Sequence, residues 1–150
     1  IFVLFVFDVT SKILVSTYIE YNYTIQLNSF FNLTHIHNFG ISFGLFSQMN
    51  QPWLFIFLGI LITIFIYYMM TQTENFTEKW ALLIIIAGAI SNIFDRCING
   101  YVIDFISLHY KDFYWPAFNF ADIYITFGIL MILYQVLNEF KKKDKNNATY

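Results

Sequence analysis

The 150-residue chain is 58% apolar and only 12% charged, and its mean hydropathy of +0.57 lies above the range of soluble globular domains. Its formal net charge of −2, from 8 basic and 10 acidic residues, excludes the basic surface that nucleic-acid binding requires. The single cysteine, Cys97, excludes an internal disulfide, and no Cys/His spacing typical of structural zinc occurs. The composition therefore predicts a small integral membrane protein.

Four runs of the chain approach the roughly 20 apolar residues that a membrane-spanning helix requires. The first, 1–19, carries Asp8 and Lys12, whose spacing of i and i+4 predicts an ion pair on one helix face. Because these charges interrupt the apolar run and no small-residue cleavage site follows, we expect a retained span and not a cleaved signal peptide. The other spans are predicted at 53–70, 77–94 and 120–138.

The distribution of lysines predicts how these spans are oriented. Half of the basic residues lie in one short tail, at Lys141, Lys142, Lys143 and Lys145, and such tails stay on the cytoplasmic side. Four spans then place both termini in the cytoplasm and the segments 20–52 and 95–119 outside. The first outer segment mixes Thr, Tyr, Phe and Ile with Asn and Gly, which predicts a small β element. The expected fold is one domain, 1–150, of the all-α integral membrane class: four transmembrane helices with a small extracytoplasmic antiparallel β element.

Polar residues gather at the outer ends of the predicted spans, although an ionisable side chain at the centre of a span costs about 2.5–3.5 kcal/mol. Asn92, Asp95 and Arg96 stand at i, i+3 and i+4 and share one helix face. The small residues of 87–91 precede them and favour the close approach of another helix. An Asp95/Arg96 helix terminus, with Asn92 bonded to a neighbouring helix, explains this group as well as a functional site does.

Two further carboxylates are predicted at the same membrane boundary. Asp104 interrupts the apolar run 100–106, where burial without a partner would raise its pKa, and pairing with Arg96 is the structural alternative. Asp122 follows Asn119, and helix capping alone would explain both residues. Capping does not explain why two acids occur at one boundary. Brought together, they would share a proton and activate a water molecule, as in aspartic proteases.

Three other combinations of reactive residues are weaker candidates. A metal site built from His35, His37, Asn38 and His109 fits no known ligand spacing. Nucleophilic catalysis by Cys97 with His109, or by Ser11 with Lys12, has equally little support, and adjacent residues on a helix point in different directions.

Taken together, the motifs identify a known family. They are DVTSK at 8–12, HNFG at 37–40, NIFDR at 92–96, GYVIDFI at 100–106 and PAFNFAD at 116–122. Over nearly its whole length the chain resembles the lipoprotein signal peptidases, also called signal peptidase II. The most specific part is the order N-x-x-D-R, G-x-V-x-D-F and N-x-A-D. One departure is FGIS at 39–42, which replaces the small residues usual after the asparagine.

The resemblance implies a bacterial inner-membrane aspartic endopeptidase whose active site lies near the outer face. Such an enzyme removes signal peptides from diacylglyceryl-modified prolipoproteins by cleaving before the lipidated cysteine, and its implied partners are these substrates and membrane lipids. The implied catalytic residues are Asp104 and Asp122, with no cofactor and no metal. Implied substrate-binding residues are Asn38, Asn92, Arg96 and Asn119, and implied supporting residues are Asp8, Lys12 and Asp95.

The residues themselves leave a second functional class open. A small proton-coupled transporter or assembly factor would use Asp8, Asp104 and Asp122 as a proton relay. The clustering of the acids at one boundary argues against such a relay. In a peptidase, the ionised aspartate takes a proton from the attacking water while the protonated one polarises the scissile carbonyl. Asp122, near a helix N-terminus, is the expected anion, and Arg96 is expected to bind the lipid ester or the peptide backbone.

Overall fold

The computed structural model describes residues 1–40 and 51–147, and this part of the chain forms four helices and a four-stranded antiparallel sheet. The helices are α1 (Phe2–Tyr18), α2 (Pro52–Gln72), α3 (Phe76–Asn99) and α4 (Phe120–Asn147). The strands are β1 (Thr24–Gln26), β2 (Phe31–Asn38), β3 (Val102–Tyr110) and β4 (Phe113–Tyr114), in the sheet order β1-β2-β3-β4.

Three of these helices are long and apolar enough to cross a membrane: Pro52–Gln72, Phe76–Asn99 and Phe120–Lys141. Helix α1, of 17 residues, is not among them. The predicted fold class is therefore confirmed for three membrane helices and a small antiparallel sheet, and the fourth transmembrane helix is not confirmed.

Two helices continue beyond the spans predicted from the sequence. Helix α3 continues beyond 94 to Asn99 and stops at Gly100, which adopts a left-handed conformation with φ of 80° and donates its N–H to the carbonyl of Arg96. The helix therefore extends about one turn into the segment 95–119. Helix α4 continues beyond 138 to Asn147, because lysine is a good helix former and its charge is favourable near a helix C-terminus.

Strand β3 lies in the segment 95–119, for which the sequence analysis proposed no strand. Residues 102–107 are buried without the alternation that marks a half-exposed strand, as expected for a strand covered on both faces. Its partner β2 runs antiparallel, with Asn38 opposite Val102 and Ile36 opposite Asp104. On its other side, Phe118 and Ile106 exchange backbone hydrogen bonds of 3.0 and 2.8 Å. The end of β2 and the start of α4 are thus both held beside Asp104.

Helix α3 is the centre of the bundle and contacts each of the other three helices. It approaches α4 closely at Gly88, where a Cβ atom would overlap the backbone carbonyl oxygen of Ala121. Gly59 of α2 faces the side chain of Ile93 on the opposite side of α3. The first turn of α4 therefore packs directly on the backbone of α3, because glycine at 88 leaves room for it.

Replacing Gly88 with alanine is expected to destabilise the protein by roughly 1–3 kcal/mol, because the new methyl group meets backbone that cannot move without separating α3 from α4. Gly59→Ala is the matched control, since its methyl group lies 3.0 Å from Cγ1 of Ile93, a side chain that can shift. Thermal unfolding in detergent should give a clearly lower midpoint for Gly88→Ala than for Gly59→Ala. Equal midpoints would contradict the close approach of the two helices.

Candidate active site

Asp104 of β3 and Asp122 of α4 line one cavity of about 520 Å³, together with Asn38. Asp104 is only 3% exposed. An adjacent cavity of about 510 Å³ contains Asn38, Asn92, Arg96 and Asp122, and its remaining walls are apolar residues of α2, α3, β3 and α4. The walls of both cavities are therefore polar near the acids and mostly apolar elsewhere.

Asn119 connects the two acids. Its Nδ2 donates to Oδ1 of Asp104 at 2.7 Å, and its Oδ1 accepts from the backbone N–H of Asp122 at 3.0 Å. Asp122 in turn accepts from the backbone N–H of Asn119 through Oδ2, at 3.2 Å. This reciprocal arrangement is a capping box at the start of α4. The predicted cap is confirmed, and the same side chain also binds Asp104.

Each acid also receives an N–H from a second asparagine. Asn38 donates from Nδ2 to Oδ2 of Asp104 at 2.9 Å, while its Oδ1 accepts from the backbone N–H of Gly40 at 2.9 Å. Asn92 donates from Nδ2 to Oδ1 of Asp122 at 2.9 Å, while its Oδ1 accepts from Nζ of Lys12 at 3.0 Å. Because the oxygen of each amide is bound elsewhere, its NH₂ group is fixed toward the acid.

Lys12 of α1 forms two buried ion pairs. Its Nζ lies 2.7 Å from Oδ2 of Asp8, which confirms the predicted pair, and 3.0 Å from Oδ2 of Asp95. The neighbouring Ser11 donates its hydroxyl to the carbonyl of Phe7 in the same helix. The Ser11/Lys12 dyad considered from the sequence is therefore wrong, because the two side chains leave α1 in different directions.

Arg96 has different partners from those that the structural alternatives required. Its Nη2 donates to the carbonyl of Gly40 at 2.6 Å and its Nη1 to the carbonyl of Asn92 at 3.2 Å. Within residues 1–40 and 51–147, neither Asp95 nor Asp104 lies within 4.0 Å of it as an ion-pair partner. Pairing of Arg96 with either acid is thus wrong, since Asp95 points toward α1 and Asp104 is bound by two amides.

The histidines are divided between two parts of the sheet. The Nε2 atoms of His35 and His37 lie 3.1 Å apart, and the ring of His37 stacks on Tyr101. His109 instead stacks on Tyr114, toward the other end of β3. In the described part of the chain, no group of three or more His, Cys, Asp or Glu side chains is arranged to hold a metal ion.

Burial, followed by the nearby charge of Asp122, raises the pKa of Asp104 to about 7. Hydrogen bonds from Asn38 and Asn119, and the charge of Lys12, act in the opposite direction but do not cancel this effect. Near neutral pH the Asp104 carboxyl therefore exists in both protonation states, as a group that donates and accepts protons during a reaction must.

Comparison with known proteins identifies the family. A family model described as signal peptidase (SPase) II matches residues 1–138. The lipoprotein signal peptidase of Pseudoalteromonas atlantica is 39% identical over 149 residues, covering 97% of this chain and 89% of that protein. That of Vibrio parahaemolyticus is 37% identical over 153 residues, covering 97% and 88%. A solved structure described as a bacterial membrane enzyme matches with a TM-score of 0.85 and 28% identity, covering 93% of this chain and 86% of that chain.

The chain belongs to the signal peptidase II family. The resemblance carried by the sequence motifs is thereby confirmed, and the transporter alternative finds no support among these matches. As a member of this family, the protein is a peptidase.

All the site residues expected from the sequence belong to one connected network of hydrogen bonds and ion pairs in this signal peptidase II chain. They are Asp8, Lys12, Asn38, Asn92, Asp95, Arg96, Asp104, Asn119 and Asp122. The sequence-based selection missed Ser91, whose hydroxyl donates to Oδ2 of Asp8 at 2.5 Å. A serine on the face of an apolar helix that also carries Asp95, four residues on, was the available signal.

The raised pKa of Asp104 predicts that its contribution to stability falls as the pH rises from about 4 to about 7. In this range the unfolded chain, with an ordinary aspartate pKa of 3.8, has lost the proton that the folded protein still binds. Thermal unfolding in detergent should therefore show wild type losing stability relative to Asp104→Asn over this range. Parallel pH dependences for the two proteins would contradict the raised pKa.

Proposed function

We propose that this protein is an aspartic endopeptidase that removes signal peptides from prolipoproteins, cleaving before a diacylglyceryl-modified cysteine. Membership in the signal peptidase II family supports the peptidase activity and the substrate class. The observation that carries the aspartic mechanism is the pair of acids, Asp104 and Asp122, bound to one asparagine and open to one cavity.

In the proposed mechanism the two acids hold the attacking water between them. Asp122 is the base, because it accepts N–H groups from Asn92 and Asn119 at the N-terminus of a helix, which favours a negative charge. Asp104 holds the proton, as a pKa of about 7 allows. Asp122 removes a proton from the water as its oxygen attacks the scissile carbonyl carbon, and Asp104 gives its proton to the carbonyl oxygen.

The tetrahedral intermediate then collapses. The carbonyl re-forms as its hydroxyl proton returns to Asp104, and the C–N bond breaks as Asp122 gives its proton to the leaving nitrogen. Both acids regain their starting states. The three asparagine amides hold the acids in position throughout and do not transfer protons themselves.

We also propose that Asn38, Asn92, Arg96 and Asn119 line the substrate-binding site. The strongest support concerns Arg96, whose buried Nε has no acceptor within residues 1–40 and 51–147 and which lines the cavity of about 510 Å³. An ester or peptide carbonyl of the substrate would satisfy this N–H. The apolar walls of the same cavity suit the acyl chains of a lipidated cysteine.

The proposed topology has α1 as a fourth transmembrane helix, both termini in the cytoplasm, and the active site near the outer face of a bacterial inner membrane. Asp122 lies in the first turn of α4, and the lysine tail follows the last turn of its apolar part. The 22 residues of Phe120–Lys141 span about 33 Å, enough to cross a bilayer. The acids and the lysine tail therefore belong on opposite sides of one membrane-embedded domain, 1–150.

Substituting either acid tests the mechanism. Asp104→Asn and Asp122→Asn should each abolish cleavage of a diacylglyceryl-modified lipobox peptide by the purified enzyme, because one acid must donate a proton and the other must accept one. The double substitution should be no worse than either single change, because residues that act as a unit are not additive. The pH profile of wild type should be bell-shaped, with both limbs belonging to the coupled pair.

Asp112→Asn is the matched control, since it makes the same change at an exposed position in the β3–β4 turn. It should cleave at the wild-type rate. Arg96→Ala in the same assay should raise KM more than it lowers kcat if Arg96 binds substrate. Substantial cleavage by Asp104→Asn, in a preparation free of host enzyme, would show that the catalytic acid lies elsewhere.

Reporter fusions test the topology. A reporter fused to the C-terminus, beyond the lysine tail, should behave as cytoplasmic. One inserted at Asn28, in the turn between β1 and β2, should behave as external. Reporters that place both positions on one side of the membrane would contradict the proposed layout.

A further inference from the structure

The ammonium group of Lys12 is a buried cation that contacts three polar residues of the site. Its side chain is 1% exposed, and its Nζ has three acceptors: Asp8 at 2.7 Å, Asp95 at 3.0 Å and Asn92 at 3.0 Å. An ammonium group has three N–H bonds and no acceptor, so this set uses all its donors.

Each of the three acceptors also binds one of the two acids or the residue that precedes it. Asn92 donates from its other end to Oδ1 of Asp122 at 2.9 Å. Asp8 accepts through Oδ1 from the backbone N–H of Ala121, the residue before Asp122, at 2.9 Å. Asp95 accepts through Oδ2 from the backbone N–H of Ile103, the residue before Asp104, at 3.2 Å. A single ammonium group on α1 is therefore connected to both halves of the proposed dyad.

The connection through Asn92 is the most specific, because an amide has two ends of similar size and opposite polarity. Only one orientation directs an N–H at Asp122. The reverse orientation would direct an oxygen at a carboxylate. Lys12 distinguishes the two, because an ammonium group can only donate and so requires the amide oxygen on its own side.

We propose that Lys12 is a positioning residue for peptide hydrolysis: it fixes the Asn92 amide with its NH₂ group toward Asp122 and so holds that carboxylate in the orientation of the general base. The inference rests on the proposed function, because it assigns Lys12 a part in the reaction that Asp122 carries. It goes beyond the ion pairing of α1, which by itself requires only that Lys12 balance nearby carboxylates.

Variants that preserve the net charge of the cluster separate the two roles of Lys12, which are orienting Asn92 and balancing nearby carboxylates. Lys12 carries one positive charge against the carboxylates of Asp8 and Asp95. Lys12→Met alone would leave both carboxylates buried without a cation, which is strongly destabilising. Asp8→Asn/Lys12→Met removes one charge of each sign and leaves the net charge of the cluster unchanged. It also removes the donor that orients Asn92.

The test compares this double variant with its matched reference, Asp8→Asn, using the purified full-length protein in detergent and a diacylglyceryl-modified lipobox peptide. Because the double variant keeps the net charge of the wild-type cluster, it should unfold closer to wild type than Lys12→Met does. The double variant should have a kcat roughly 10- to 100-fold lower than the reference, the effect of one hydrogen bond to a charged group, with little change in KM. Asp95→Asn/Lys12→Met also keeps the net charge of the wild-type cluster, and its comparison with Asp95→Asn is an independent test with the same expectation.

A third comparison identifies Asn92 as the intermediary. In an Asn92→Ala background there is no amide to orient, so adding Asp8→Asn/Lys12→Met should lower kcat no further than adding Asp8→Asn. A further loss in that background would mean that Lys12 acts by another route, and would overturn the inference.

Equal kcat values for the charge-balanced variants and their references would overturn the positioning role. If neither double variant folds, the positioning role is overturned as well, because Lys12 would then be required for the fold itself. Wild-type protein that does not cleave the peptide, or cleavage that survives Asp104→Asn, would overturn the proposed function and this inference with it. This inference alone would be overturned if wild type cleaves the peptide, Asp104→Asn does not, and each double variant has the same kcat as its single-substitution reference.

Discussion

The cost of burying carboxylates is the constraint on which the rest of this structure depends. A buried carboxylate requires hydrogen-bond donors or a cation, because otherwise it would lose its hydration without compensation. Asp8 and Asp95 share the ammonium group of Lys12. Within residues 1–40 and 51–147, the hydrogen bonds to Asp104 and Asp122 come from N–H groups of amides and backbone. The cluster thus contains one pair of acids bound to a cation and a second pair held by neutral donors. The second pair is the one that faces a cavity.

This difference in partners explains how one small bundle can hold acids for two purposes. The ion pairs with Lys12 hold Asp8 and Asp95 in place between α1 and α3, which suits a structural role. Neutral donors orient a carboxylate without preventing it from taking up a proton, and for Asp104 burial then raises the pKa to about 7. The environment of each acid, and not its residue type, therefore decides which one is suited to proton transfer.

Backbone packing and strand pairing position the acids as much as side-chain contacts do. Gly88 brings the first turn of α4 against α3, so that Asn92 of α3 reaches Asp122 of α4. Strand β3, held between β2 and the segment at Phe118, brings Asp104 to the same place from the sheet. Apolar residues of α1 and β3, including Val15 and Ile103, pack together beneath the sheet. The site is consequently formed where helices and sheet meet, and neither part could form it alone.

The sequence by itself determined the features that depend on composition or on neighbours within one helical turn. These include the membrane class, the apolar runs of α2 to α4, the Asp8–Lys12 pair at i and i+4, and the cap formed by Asn119. It also contained the family motifs, and with them the candidate residues. A local pattern is sufficient for such features, because the interacting groups are held together by the chain itself.

Only the tertiary structure decided which of these residues meet. Lys12 binds Asn92 across a separation of 80 residues, and Ala121 donates to Asp8 across 113. Such contacts depend on how closely helices pack, and no local periodicity encodes that distance. The same reason explains the failed pairing of Arg96 with Asp104 and the unpredicted strand β3, whose continuous apolar run became a strand because other elements cover both its faces.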